Sequence, residues 1–346
     1  MIVQLNKQVS ANQISNIQSF LKEQDFDYIY QDFNHQLIIP ALKNKSLLSH
    51  FDFISQSIEI TTPYQLSSLL YKTKTSFDVD GIEVGGNDLN LIAGPCSVES
   101  EDQIHEIAEF LNKQQIKFIR GGAFKPRTSP YSFRGLGNKG LKYIREAANK
   151  NNLRVVTELM DLSNLDDVYN HTDIIQIGAR NMSNFSLLAE LGKTKKPIML
   201  KRGMSAKATE WLLAADYILS GGNENVILCE RGIRSFDIQN RNVFDLGVIP
   251  LMQSLSHLPV FADPSHGVGK AAFVNKMGLA AIAAGANGLM IEIHPHPEKA
   301  LSDGEQALTF NEFETFLNAT KPLLSAINKS ADFIESNNIL KLQTLL

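Results

Sequence analysis

Apolar positions follow two different rhythms along this chain. Through residues 1–65 they come in short bursts around one clear helical repeat. Ile2, Val3 and Leu5 form the first burst, and Ile14, Ile17, Phe20 and Leu21 then recur at spacings of three and four, the mark of a helix face. Further bursts lie at 28–30, 37–39 and 58–60, with a weaker helical candidate over 42–51. That order predicts strand, helix, strand, strand, helix, strand, as in a split βαβ or ferredoxin-like module. The polar segment 71–80 reads as a linker.

From about residue 82 short and nearly continuous apolar runs alternate with longer stretches of helical periodicity. A strand of a parallel sheet is covered on both faces, so it reads as an unbroken apolar run rather than an alternating one. Such runs occupy 89–94, 117–121, 154–159, 173–178, 197–202, 225–230, 259–263 and 288–294. Eight βα units in succession predict a closed barrel over an open sheet. The fold class expected is therefore α/β, a (β/α)8 TIM barrel preceded by a small α+β ferredoxin-like domain. The boundaries are 1–70 for the small domain, 71–81 for the linker and 82–346 for the barrel, with a last barrel helix starting near Phe310 and one more helical segment in the tail.

Composition narrows the class. The chain of 346 residues is 43% apolar and 20% charged, ordinary for a globular protein, and its net charge of −4 offers no global field for nucleic acid. No apolar stretch reaches the length of a membrane span, and the opening MIVQLNKQVS lacks the regions of a signal peptide, so a cytoplasmic protein is expected. Cys96 and Cys229 are the only cysteines, which favours reduced thiols or a metal ligand over a disulfide.

In a barrel of this kind the reacting groups project from the carboxyl ends of the strands. There the sequence places Arg120, Lys125, Arg127, Arg180, Lys201, Arg202 and Arg231, a cationic collar on an acidic chain. Burying unpaired guanidinium groups costs several kcal/mol each, so such a collar calls for phosphate and carboxylate partners, which arginine's planar fork suits. A second set is Cys96 after the first strand, His266 after the seventh, Glu292 on the eighth and Asp303 beyond it. Closure makes those strands neighbours. A thiolate, an imidazole and two carboxylates suit Mn, Fe, Co or Zn better than Mg or Ca. Taken singly each could be structural; their joint placement favours a metal site. Cys229 reads as packing beside Arg231, and His294, His296 and Asp263 as groups that could orient the ligands.

The strings GPCSVES, RGGAFKPRTSPYSFRGLG, TELMD, IQIGARNM, LKRGMS, ILCERG, ADPSHGVG and IEIHPHP resemble the 3-deoxy-D-arabino-heptulosonate 7-phosphate synthases, in the subfamily they share with the octulosonate 8-phosphate synthases. The match runs in order over about residues 82–330. This resemblance implies that Cys96, His266, Glu292 and Asp303 hold one divalent metal ion. It implies that Arg180, Lys201 and Arg231 hold phosphoenolpyruvate, with Arg120 and Lys125 at its carboxylate, and that Lys125, Pro126, Arg127 and Thr128 cradle the aldose phosphate with help from Ser129. Glu158 matches an acid that places a water beside the enolpyruvate, and Lys125 a general acid.

The reaction implied is condensation of phosphoenolpyruvate with erythrose 4-phosphate and water, the metal polarising the aldehyde, as the opening step of the shikimate pathway. The runner-up is octulosonate 8-phosphate synthase, using arabinose 5-phosphate. Its aldose loop reads Lys-Ala-Asn-Arg, whereas this chain carries Lys-Pro-Arg-Thr-Ser. A non-catalytic barrel that senses metabolites is the remote alternative, set against the presence of all four ligands. The amino-terminal module resembles ACT-like regulatory domains that bind aromatic amino acids, so Phe or Tyr is the expected effector; its weak second helix departs from that pattern, and a plain oligomerisation element is the other reading. An all-helical mutase domain is disfavoured by the strand-like runs. Resemblance also implies a homotetramer.

Overall fold

The computed structural model describes residues 1–125 and 131–333. Its first unit comprises β1 (Ile2–Leu5), α1 (Ala11–Glu23), β2 (Ile29–Gln31), β3 (Gln36–Ile38) and β4 (Ile54–Ile58), with antiparallel sheet order β2-β3-β1-β4. This is the ferredoxin-like order. Helix α1 starts where Ser10 and Gln13 form a capping box, and it buries Ile17 and Leu21 on a core with Val3, Leu5 and Leu37. The opposite face of the sheet sets Ile2 and Ile38 against the barrel.

Two expectations change here. The second helix shrinks to one 3-10 turn at Lys45–Leu48, because Asn44 accepts from the Ser46 amide and the Ser49 hydroxyl bonds the Ser46 carbonyl. Such local bonds offer the backbone a substitute for the helical ladder. The fourth strand also lies earlier than 58–60, since the register pairs Ile58 with Ile2 and leaves Ile60 to pack on the barrel.

Residues 65–84, read partly as a linker, are bound along the barrel. The Asp216 carboxylate accepts the Gln65 and Ser67 amides, Leu69 N–H donates to Leu255 O, and Thr75 N–H donates to His257 O. The hairpin of β5 (Phe77–Asp78) and β6 (Glu83–Val84) then plugs the amino-terminal mouth of the barrel, setting Val79 and Val84 into its interior. Polar composition signalled exposure, but Gln65, Leu66, Ser67, Ser68, Thr75 and Val79 are buried.

The barrel strands and helices follow in order: β7 (Asn90–Gly94), α2 (Glu101–Lys113), β8 (Phe118–Arg120), α3 (Asn138–Lys150), β9 (Arg154–Glu158), α4 (Leu165–His171), β10 (Ile174–Ile177), α5 (Phe185–Gly192), β11 (Ile198–Lys201), α6 (Ala208–Ser220), β12 (Val226–Glu230), α7 (Val248–Leu255), β13 (Val260–Ala262), α8 (Pro264–Val268), α9 (Ala271–Ala283), β14 (Gly288–Glu292) and α10 (Phe310–Ala326). All eight strands pair in parallel, and β14 closes on β7. Ile92, Phe118, Val156, Ile174, Met199, Ile227, Phe261 and Met290 fill the interior, while a second apolar layer separates strands from helices. Burial on both faces is the cause of the unbroken apolar runs. The short α8 was not anticipated; Asp263 caps it and Pro264 opens it. The helical tail expected beyond α10 falls partly on 334–346, outside the described residues.

Candidate active site

Each candidate side chain owes its place to a strand end. Gly94 closes β7 at φ +151°, where an added Cβ would stand 2.0 Å from Arg120 O, so only glycine lets the chain pass β8 and deliver Cys96. Gly122 N–H then donates to Cys96 O and Val98 N–H to Gly122 O, holding the thiol at the barrel mouth. Asp303 arrives from the loop after β14 in the left-handed region at φ 51°, which Asp tolerates better than most residues.

Across the closure of the barrel, ligand atoms of Cys96, Glu292 and Asp303 all lie within 4.8 Å of one another, and Cys96 Sγ is 3.2 Å from Asp303 Oδ2. His266 stands beside this trio, its Nε2 3.6 Å from Glu292 Oε1. Asp263 Oδ2 lies 2.7 Å from His266 Nδ1, which favours the proton on that nitrogen and leaves Nε2 as a donor toward a metal. Burial would raise the Glu292 and Asp303 carboxyls, but nearby His266 and cationic side chains outweigh it and hold both below the usual range. Burial, with Glu292 next, pushes the Cys96 thiol up to about 11. Ionised acids, a neutral imidazole and one thiol awaiting a cation form a donor set that fits a borderline divalent ion.

Beside the trio opens a cavity of about 590 Å³ lined by Lys125, Glu158, Arg180, Lys201, Arg231, His266 and Asp303. Lys125 Nζ is 3.0 Å from Cys96 Sγ and 3.1 Å from Cys96 O. Lys201 bonds Asp263, and burial would raise that acid, yet His266 and Lys201 hold it well below the usual carboxylate range. Burial also lowers His266 itself, against the opposing pull of Asp263. Arg231 is 6% exposed, and its Nη1 has no hydrogen-bond partner among the described residues. Desolvation lowers its affinity for a proton. A buried, unpaired guanidinium at a cavity wall is a receptor for an anion. Glu158 reaches the cavity because Gly178 yields: a Cβ there would stand 2.0 Å from Glu158 Oε1.

Two parts of the expected collar are different. Arg202 turns away to Glu230 Oε2 at 3.1 Å and Asp245 Oδ2 at 2.9 Å, because adjacent strand-end residues point to opposite sides of the sheet. Arg120 is buried against Glu292 Oε1 at 2.7 Å, beneath the donor trio. Arg127, Thr128 and Ser129 lie outside the described residues. Cys229 is a fully buried packing residue of the barrel interior, and His294 approaches Glu99 at 3.6 Å. Gln176, Arg234, Arg241 and Asn242 also line the cavity and were not singled out from sequence. Gln176 carried a signal, a polar residue inside the apolar run of β10; the others sit on a polar loop whose course periodicity does not reveal.

A closed barrel with a cationic cavity set against a thiol and carboxylate cluster defines an enzyme of the (β/α)8 class built for anionic substrates. Over residues 65–329 the chain matches the DAHP synthetase I family, and it belongs to that family. It is 46% identical over 277 residues to phospho-2-dehydro-3-deoxyheptonate aldolase of Thermotoga maritima, covering 80% of this chain and 82% of that protein. The 2-dehydro-3-deoxyphosphooctonate aldolase of Desulfotalea psychrophila is 33% identical over 262 residues, covering 70% of this chain and 92% of that protein. Among solved structures, the Thermotoga maritima DAHP synthase superposes with a TM-score of 0.78 at 39% identity, over 95% of this chain and 98% of that one. A truncated form of the same synthase superposes with a TM-score of 0.73 at 43% identity, over 78% of this chain and 99% of that one.

Proposed function

We propose that this chain is a transferase that condenses phosphoenolpyruvate with erythrose 4-phosphate and water to give 3-deoxy-D-arabino-heptulosonate 7-phosphate and phosphate, the first step toward aromatic amino acids. The observation that carries this reading is the 46% identity to a heptonate aldolase, against 33% for the octonate relative, on a chain that keeps a cationic cavity beside a metal-type donor set.

Cys96, His266, Glu292 and Asp303 would hold one divalent ion, of which Mn, Fe, Co and Zn suit the mixed donors. When bound, that ion supplies Lewis acidity to the aldehyde oxygen. The protein's own groups do the rest. Arg231, Arg180 and Lys201 bind the phosphate and carboxylate of phosphoenolpyruvate, supported by the cavity's cationic lining. Lys125 borders the carboxylate end from the cavity wall, Arg120 is assigned beside it through its pairing with Glu292, and Arg127, Thr128 and Ser129 take the aldose phosphate. Glu158 orients the water that adds at C2 of the enolpyruvate while C3 bonds to the aldehyde carbon. The tetrahedral C2 then breaks its bond to the phosphate oxygen, releasing inorganic phosphate. Lys125 delivers a proton to the oxygen that gains charge, a role its place between Cys96 and the cavity supports.

The amino-terminal sheet is read as an ACT-like regulatory unit for Phe or Tyr, the assembly as a homotetramer, and the compartment as cytoplasm. No described helix is long and apolar enough to cross a membrane. Parallel assays with erythrose 4-phosphate and arabinose 5-phosphate test the reaction: phosphate release is expected only with the first. Turnover of the five-carbon sugar alone would shift the assignment to the octulosonate enzymes. Cys96→Ser in metal-defined buffer tests the donor set, with at least a hundredfold loss expected, roughly the cost of removing a group that acts on developing charge.

A further inference from the structure

In the loop after β14, Gln306 is 1% exposed and spans two charged groups from different elements. Its Nε2 donates to Glu292 Oε2, and its Oε1 accepts from Arg241 Nη1. A guanidinium only donates and a carboxylate only accepts, so the two neighbours allow the carboxamide one orientation. The other Glu292 oxygen accepts from Arg120 Nη1 at 2.7 Å. With a different donor on each oxygen, the plane of this fully buried carboxylate is fixed while each oxygen keeps a lone pair. Arg241 also lines the cavity, and its Nη1 lies 3.7 Å from Asp303 Oδ1. One neutral amide thus joins the loop after β12 to an acid of the donor cluster.

We propose that Gln306 is a positioning residue that sets the Glu292 carboxylate for metal binding and couples it to Arg241 on the cavity wall. The inference rests on the metal reading given above. Glutamate at 306 would face Glu292 with like charge, and an apolar side chain would leave a buried oxygen without its donor, so the amide is the group the geometry requires.

The test is calorimetric titration of Mn(II) into the full chain stripped with EDTA. Gln306→Met should weaken binding by about 10- to 100-fold, as removal of an orienting partner does elsewhere. Arg241→Met, at a half-exposed side chain that does not threaten folding, should weaken it several-fold, and the double variant should bind no worse than Gln306→Met alone. That lack of additivity is the readout a purely structural role would not produce. Wild-type protein that takes up no Mn(II) overturns the metal reading together with this inference. Wild-type binding with Gln306→Met unchanged within about twofold overturns the inference alone, and additive losses overturn the coupling to Arg241.

Discussion

At the scale of single residues the site is a balance between burial and pairing. Arg231 faces the cavity with an unpartnered nitrogen, whereas Arg202, one residue beyond its own strand, spends its charge on Glu230 and Asp245. Truncation should separate the two. Arg231→Ala should raise KM for phosphoenolpyruvate and lower kcat/KM by about two orders of magnitude or more, in line with loss of a desolvated charge pair, with little change in Tm. Arg202→Ala should instead lower stability by about 3–5 kcal/mol, read by urea unfolding, because it leaves Glu230 buried and unpaired. His257 makes a third case. It is buried, with Thr75 Oγ1 2.7 Å from Nδ1 and Leu66 O 2.6 Å from Nε2, and with Lys72 and Glu224 as the charged groups nearby. Burial lowers its pKa below the unfolded value. The unfolded chain therefore binds the proton more readily, so the stability from this residue is full above the ordinary imidazole pKa and is lost as pH falls through the folded one. Urea unfolding from pH 7.5 to pH 5 should show that loss, and His257→Gln should flatten it.

At the scale of elements, strand ends and the strap beneath them decide where the chemistry goes. The apolar runs were legible because two-sided burial leaves few polar positions in a strand, and the residues just past each run were legible as candidates for the same reason. Less legible was the strap of residues 65–84, whose polar side chains hide backbone amides that seek acceptors on α6 and α7. Asp216→Ala removes the acceptor for Gln65 and Ser67 amides and should cost about 1–3 kcal/mol, with faster proteolysis around residues 65–75 as the local readout. The weak helix near residue 45 was misjudged because apolar spacing counts only the packing side, while Asn44 and Ser49 compete for the backbone.

At the scale of the whole molecule, the small sheet rests on the barrel through Ile2 and Ile38 and through Gln31, whose side chain donates to Leu219 O. A sheet attached this way should be separable if the cut spares the strap. Removing residues 1–60 should leave a folded, active barrel that has lost any inhibition by Phe or Tyr, whereas a cut at residue 70 should also weaken the barrel by stripping contacts to Asp216. Thermal unfolding and inhibition curves of the two truncations check both halves of this expectation.

By itself the sequence determined the eight-fold alternation, the ferredoxin-like order of the first strands, and the strand ends on which Cys96, His266, Glu292, Arg231 and Lys201 stand, because periodicity and burial act locally and leave their mark on every residue. Tertiary structure alone decided which cations share the cavity, that Gln306 bridges Arg241 to Glu292, and that residues 65–84 belong against the barrel. Those outcomes depend on which groups meet across the closed ring, and hydrogen bonds and ion pairs between distant segments have no period in the chain.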